Sequence, residues 1–235
     1  MLKQITFTIV LASAILLPTG CKKETPCGPV AKGNPIQFDR MEVGQSSRYL
    51  GLLGEKYFQS STNDFVYTDD TLVLTIVGKE AKGFRVAEEV RYKGDVDNWM
   101  APEKDSTYHY FLDIKDDTLK IYPDGSDYLK SRLFHYAAGT TGLSLAPVAD
   151  PKIQISGWKT DLSYCECFRN GYAVDYSLFN LEYDRLNVVI DNRSMAFDAN
   201  GETYVYAGKY GIVRASTYGW WTSTGYGWDL LPAAE

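Results

Sequence analysis

The stretch Thr71-Leu72-Val73-Leu74-Thr75-Ile76-Val77 decides the fold of this chain. Side chains on a β-strand point alternately to the two faces of a sheet, and β-branched residues favour this extended conformation. Leu72, Leu74 and Ile76 therefore share one face. This alternation predicts a strand with one buried side.

Five further stretches show the same alternation, and each is bounded by Gly, Asp, Asn or Pro. They are residues 84–92, 107–114, 119–122, 186–190 and 203–206. No part of the chain beyond residue 20 has a convincing helical period. The sequence therefore predicts an all-β body over residues 44–235, mostly an antiparallel meander that forms a sandwich or an open half-barrel of one or two packed β units.

Paired acids recur beside these strands. Asp69-Asp70 and Asp116-Asp117 each precede a Thr-Leu pair, and Asp184 begins a fainter third copy. Because Asp is a common turn former, we interpret the three sites as turns of related hairpins. The alternative is a functional site, since carboxylate oxygens bind calcium and serve as acid or base.

The N-terminus has the pattern of an export signal. Lys3 precedes an apolar run at residues 5–17, which is too short to span a bilayer. The small residues Pro18-Thr19-Gly20 then lead into Cys21, which resembles the site at which lipoprotein signal peptidase cuts. We predict that residues 1–20 are a signal peptide and that Cys21 carries the acyl chains, palmitate among them.

Residues 21–43 contain several Pro and Gly residues and are predicted to be a flexible tether. Several acyl chains on one cysteine would hold the body on a membrane without spanning it. Lys22 follows Cys21 where an Asp would favour the inner membrane, so the sequence favours the outer membrane and leaves both of its faces open.

The charge of the chain argues against a nucleic-acid partner. The formal net charge is −6, and loss of Lys3 with the signal peptide would make it −7. A phosphate backbone requires a basic stripe, whereas the Lys and Arg residues here are scattered among acids. The predicted partners are a membrane, through the lipid, and a glycan or an envelope protein.

Three cysteines remain beside Cys21, namely Cys27, Cys165 and Cys167. A disulfide from Cys27 to either of the other two fits an oxidising compartment. A metal site would need more ligands than this set offers, because the histidines are far apart in sequence. The sequence therefore predicts no metal and no cofactor.

The sequence contains no clear catalytic set. The Gly-x-Ser-x-Gly motif of hydrolases is absent. His109 and His135 each lie in an aromatic, strand-like run, where a structural role is more common than catalysis. Carboxylate pairs for glycoside hydrolysis are defined by their separation in space, which the sequence does not give. We therefore predict a non-catalytic protein.

Aromatic residues are the most informative feature, with 18 Tyr and 5 Trp in the chain. They concentrate near the C-terminus, where the candidate contact residues are Tyr218, Trp221, Tyr226 and Trp228. Such rings suit stacking on sugars or anchoring a protein interface. The alternative is a C-terminal hairpin that fills the core, because Tyr and Trp are favoured in strands.

Five short motifs carry a family resemblance, namely Gly44-Gln-Ser-Ser-Arg-Tyr49, Asp69-Asp-Thr-Leu72, Ser131-Arg-Leu-Phe134, Tyr210-Gly-Ile-Val-Arg214 and Gly227-Trp-Asp-Leu230. The chain resembles small, uncharacterised outer-membrane lipoproteins of Bacteroidetes type in these motifs. The resemblance implies a compartment and no catalytic residues. The expected function is that of a membrane-anchored binding or interaction module of the cell envelope. The alternatives are a carbohydrate-active hydrolase and a periplasmic carrier of lipids or lipoproteins.

Overall fold

The computed structural model describes residues 35–54, 65–93, 105–134, 142–149, 151–156, 159–160, 168–192, 200–219 and 224–233. Its strands are β1 (Ser46–Gly54), β2 (Phe65–Glu80), β3 (Gly83–Arg91), β4 (Ser106–Lys115), β5 (Thr118–Pro123), β6 (Leu143–Ser144), β7 (Ile155–Ser156), β8 (Lys159–Thr160), β9 (Phe168–Leu178), β10 (Leu181–Asp191), β11 (Asn200–Ala207), β12 (Gly211–Gly219) and β13 (Thr224–Leu230). Across these residues, the only helical segment is one 3₁₀ turn at Phe38–Arg40. The all-β prediction is confirmed.

Eleven strands form one antiparallel sheet in the order β6-β5-β4-β3-β2-β1-β13-β12-β11-β10-β9. Two meanders build it, β1 to β6 and β9 to β13, and they join where β1 pairs with β13. The sheet curls into a half-barrel, which is one of the two predicted forms. Strands β7 and β8 form a separate small hairpin.

Five of the six predicted strand stretches lie within strands of the sheet, and the sixth, 84–92, extends one residue beyond β3. Asp116 and Asp117 form the predicted turn between β4 and β5, both with φ of 51°, as a two-residue hairpin requires. The turn interpretation of Asp69-Asp70 and of Asp184 is wrong, because they lie inside β2 and β10. Asp70 continues the alternation of the apolar residues that follow it, and this pattern overrides the turn preference of Asp.

The two meanders are buried differently. In β2, Leu72, Leu74 and Ile76 are buried, whereas the residues between them are not. In β12, all nine residues are buried. Strand β2 therefore has one buried face, whereas β12, which lies between β11 and β13, is covered on both faces. We call the face of Leu72 the concave face and the opposite one the convex face.

Two segments cross the concave face and connect the meanders. Leu133 and Phe134 are fully buried, and the Phe134 ring lies 5.8 Å from Tyr110 of β4 and 6.4 Å from Tyr204 of β11, centroid to centroid. Farther along, the Asn187 side-chain amide of β10 donates to two carbonyls of residues 144–146. The interior of the half-barrel is therefore packed where these segments cross it.

The body begins earlier than the sequence predicts. Ile36 and Phe38 fall within the predicted tether, yet they are 1% and 2% exposed. A side chain on Gly211, where φ is 72°, would lie 2.5 Å from the Ile36 carbonyl oxygen, so this glycine lets the entering chain approach β12. Within the described ranges, no helix has the length and apolarity needed to cross a membrane.

The two ends of the sheet differ in their connections. At one end, two residues join β2 to β3, β4 to β5 and β9 to β10, and three join β11 to β12. At the other end, 10 residues join β1 to β2, 14 join β3 to β4, 8 join β10 to β11 and 4 join β12 to β13. We call these the short-turn end and the long-connection end. Binding residues concentrate on longer connections held by a rigid scaffold.

Candidate functional site

The concave face becomes polar towards the long-connection end. Asp70, Glu88, Tyr92, Tyr108 and Tyr226 lie on this side of neighbouring strands or directly after them. Thr71 pairs with Arg91, so Asp70 of β2 and Tyr92 lie at the next step of the ladder. Buried polar groups require hydrogen-bond partners. The hydrogen-bond partners of these groups therefore show whether the cluster is purely structural or is available to a ligand.

Asp70 is held inside the sheet by two donors. It is 3% exposed, and its carboxylate accepts from the Tyr226 hydroxyl at 2.7 Å and from the Lys93 backbone N–H at 2.8 Å. Gly51 makes this approach possible, because a Cβ there would lie 2.4 Å from Thr68 Oγ1 and 2.9 Å from the Tyr226 hydroxyl. Both oxygens of Asp70 are thus occupied.

Glu88 is a fully buried carboxylate on the concave face of β3. Its Oε2 accepts from Ser131 Oγ at 2.6 Å and from the Tyr110 hydroxyl at 2.8 Å, and its Oε1 accepts from the Arg132 backbone N–H. Burial raises the pKa of Glu88 above its ordinary value of 4.5, and the hydrogen bonds from Ser131 and Arg132 lower it in part. Glu88 therefore fixes the crossing segment to β3.

The backbone of Arg132 is held from both meanders. Its N–H donates to Glu88 of β3, and its carbonyl accepts from the Trp228 indole N–H of β13 at 3.1 Å. The Arg132 guanidinium carbon lies 5.8 Å from the centroid of the Tyr108 ring. The backbone of Arg132 is therefore fixed by two strands, and its guanidinium lies beside one aromatic face.

Two polar atoms of this cluster have no partner within the part of the chain that the structure describes. They are the Tyr92 hydroxyl and Arg132 Nε, and both atoms are buried. Burial raises the pKa of Tyr92; Arg132 opposes that shift, and Asp70 and Glu88 add to it, which places all of these charges within electrostatic reach. Unsatisfied buried donors are costly, so a group at this location has a chemical reason to bind an acceptor.

A second buried charge cluster lies on the convex face and is complete. Arg214 and Asp229 are 2% and 0% exposed, and the guanidinium contacts both carboxylate oxygens at 2.5 Å. The Tyr67 hydroxyl also donates to Asp229, at 2.8 Å. This bidentate pair joins β12 to β13 and has the geometry of a structural ion pair.

An open groove lies at the short-turn end and has a volume of about 990 Å³. Its lining combines charges of both signs, such as Arg40, Lys79 and Asp113, with apolar side chains such as Phe84 and Ile114. The mixed lining does not by itself favour a sugar or a lipid chain.

Three of the four predicted aromatic contacts are interior residues. Tyr218, Tyr226 and Trp228 are 4%, 3% and 1% exposed, so their rings do not form the expected exposed surface. Strand β13 lies in the middle of the sheet, where Tyr226 and Trp228 face the concave core and Tyr218 of β12 packs on the convex face with Leu52 and Phe65. Trp221 lies outside the described residues, within the connection from β12 to β13 at the long-connection end.

The remaining predicted residues fall into two groups. Cys21, Cys27, Cys165, Cys167 and His135 lie outside the described residues. His109 is exposed on the convex side of β4, opposite Ala87 in the register.

Asp70, Glu88 and Arg132 are the important residues that sequence reasoning missed. Two of them could be recognised in the sequence, because each is an acid at a position where the strand alternation predicts a buried side chain. Glu88 lies between Val86 and Val90, and Asp70 precedes Leu72 by two residues. A charged residue at such a core position is rare unless it is paired. Arg132 carried no comparable signal, since its partners come from β3 and β13.

Comparison of the chain with family models, with curated proteins and with solved structures gives no match. The functional argument consequently rests on the residues of the site.

Proposed function

We propose that this chain is a lipid-anchored protein of the bacterial cell envelope whose half-barrel binds glycans without catalysis. The observation that carries the proposal is the polar cluster of the concave face, in which Tyr92 and Arg132 hold polar atoms without partners among the described residues. Sugars supply the hydroxyl acceptors and donors that such atoms need, and their ring faces stack on tyrosine.

The position of the cluster supports binding at the long-connection end. The connections there carry further aromatic residues in the sequence, including Trp99, Trp220 and Trp221. Aromatic side chains are common in the lining of small-molecule sites. The predicted role of Trp221 in binding is kept in the proposal for this reason.

The carboxylates of the cluster favour binding over hydrolysis. The oxygens of Asp70 and Glu88 already accept hydrogen bonds from the protein. Thr71 pairs with Arg91 and Leu74 with Glu88, so about four residues, or roughly 13 Å, separate the two acids along the strands. Glycosidase carboxyl pairs lie about 5–9.5 Å apart.

A carrier of lipids is a weaker alternative. Such a carrier needs an open apolar cavity on the concave face. Leu133 and Phe134 fill the space between the two meanders and are both fully buried. The glycan-binding proposal requires no such cavity.

Binding is tested with the purified full chain in detergent and a panel of neutral and acidic oligosaccharides. We expect saturable binding by calorimetry with a change in tryptophan fluorescence, weakened in Trp221→Ala, and no release of new reducing ends over hours. Time-dependent release of reducing ends would instead establish a hydrolase. Absence of binding across the panel would contradict the proposal.

The anchor is tested separately. We expect a clickable palmitate analogue to label the wild-type chain and not the Cys21→Ala variant, and the variant to leave the membrane fraction. Protease treatment of intact cells, with a periplasmic control protein, then distinguishes the two faces of the outer membrane. Equal labelling of wild type and Cys21→Ala would contradict lipidation at this residue.

A further inference from the structure

We propose that Arg132 binds a carboxylate of the ligand, so that the preferred glycan contains a uronic acid. This inference rests on the proposed glycan-binding function and adds a ligand class and a specificity-determining residue to it. Arg132 is the group that would contact the ligand, and Glu88 is a residue that positions it.

The first argument is the placement of Arg132. Its N–H is bound by Glu88 and its carbonyl by Trp228, so both ends of its peptide backbone are fixed by different strands. A side chain that is already placed loses less conformational entropy when a ligand binds. Arg132 is partly exposed, although its Nε is buried. The rest of its guanidinium can therefore reach a ligand from solvent.

The second argument is the balance of donors and acceptors. The carboxylate oxygens of Asp70 and Glu88 are turned towards protein donors. Arg132 has no carboxylate partner among the described residues, and its guanidinium can only donate. The groups of the cluster that can still form a hydrogen bond are therefore donors, and a ligand must supply an acceptor. A carboxylate is the acceptor that matches the planar fork of arginine.

The rest of the ligand is indicated by two tyrosines. Tyr108 presents its ring beside the guanidinium, 5.8 Å from ring centroid to guanidinium carbon. The Tyr92 hydroxyl, which has no partner among the described residues, lies within electrostatic reach of the same charge. A sugar ring with a carboxylate can stack on the tyrosine and accept from both groups. A bare inorganic anion could accept from the same donors but has no ring face to stack.

The test compares trigalacturonate with its methyl ester, which has nearly the same shape without the charges. Calorimetry with the full chain in detergent should give at least a tenfold tighter binding of trigalacturonate. In Arg132→Gln this preference should fall by about 10–100-fold, the effect of losing a hydrogen bond between charged groups. Arg132→Lys keeps the positive charge but lacks the planar pair of donors, so it should recover only part of the preference for trigalacturonate.

Arg85→Gln is the matched control, because it removes an arginine that is paired with Asp124 outside the cluster. It should keep the wild-type preference, and thermal unfolding should show that every variant folds. A preference that survives in Arg132→Gln would overturn the inference. Equal binding of trigalacturonate and its ester would also overturn it, while leaving glycan binding intact. Binding of a short peptide through its terminal carboxylate, with no binding of trigalacturonate, would overturn the sugar assignment.

Discussion

Two buried charge clusters of the half-barrel lie on opposite faces and are built in opposite ways. On the convex face, Arg214 and Asp229 satisfy each other through two contacts, and Tyr67 adds a third. On the concave face, Glu88 is saturated by donors, whereas the nearby Arg132 has a buried Nε without a partner in the part of the chain that the structure describes.

The difference indicates which cluster is structural and which is available to a ligand. A complete ion pair does not need an acceptor from a ligand, and removal of one of its partners is costly because the other charge stays buried. An incomplete cluster can gain an acceptor from a ligand, and its open member contributes little to folding. Substitutions in the convex cluster should therefore lower stability, whereas substitution of Arg132 in the concave cluster should change ligand binding.

The largest effect is expected for Arg214→Met. The variant keeps much of the apolar volume and leaves the carboxylate of Asp229 buried without its counterion. We expect a loss of about 3–5 kcal/mol in the free energy of unfolding, measured by urea denaturation. Asp184→Asn, which affects only the exposed ion pair with Lys209, is the control and should change stability by less than about 1 kcal/mol. Equal losses in the two variants would contradict the structural role of the convex pair.

Tyr226→Phe is expected to have the next largest effect. It removes the hydroxyl that donates to the buried Asp70 at 2.7 Å and leaves the ring in place. Loss of a hydrogen bond to a charged group should cost about 1.5–3 kcal/mol in unfolding free energy. Tyr128→Phe, on an exposed side chain, is the matched control. A change below about 0.5 kcal/mol for Tyr226→Phe would mean that this bond does not stabilise the cluster.

Glu88→Gln should have a smaller effect that depends on pH. The pKa of Glu88 is raised in the folded state, so its stabilising contribution is complete below the unfolded value near 4.5 and is lost as the pH rises through the raised folded value. The variant stays neutral throughout. We expect the two proteins to agree within about 1 kcal/mol below that pH, and the variant to gain relative stability above it. A difference that does not change with pH would contradict the raised pKa.

Arg132→Gln should have the smallest effect on stability. Its charged group has no ion-pair partner in the described chain, and its backbone contacts to Glu88 and Trp228 do not depend on the side chain. We expect a change within about 0.5 kcal/mol in urea denaturation, because the substitution breaks no side-chain hydrogen bond or ion pair among the described residues. A loss comparable to that of Arg214→Met would remove the distinction between the two clusters.

The sequence predicted the strands well because alternation is a local property. Residues 71–77 show the face of β2 directly, and Asp116-Asp117 has the turn chemistry of a two-residue hairpin. The pairing of β1 with β13, which joins the meanders, depends on residues that are far apart in the chain. That contact decides the order of the sheet, and no local pattern indicates it.

The candidate site was harder to predict, since its residues follow different rules from their neighbours. Asp70 was assigned to a turn because Asp favours turns, whereas its place in β2 is set by the alternation around it. Trp228 and Tyr226 were candidate contact residues, with a hairpin that fills the core as the alternative, and their burial in the middle of the sheet agrees with that alternative. The role of Arg132 depends on contacts with two distant strands, so it became visible only in the structure.

The central claim is that ligands bind at the long-connection end of the concave face. Amide hydrogen exchange of the full chain, with and without saturating trigalacturonate, tests this claim most directly. The account predicts slower exchange at the backbone amides of Lys93, Arg132 and Leu133, which surround the cluster, and no change in the short turns between β2 and β3 and between β4 and β5. Protection confined to those short turns, or no protection anywhere, would contradict it.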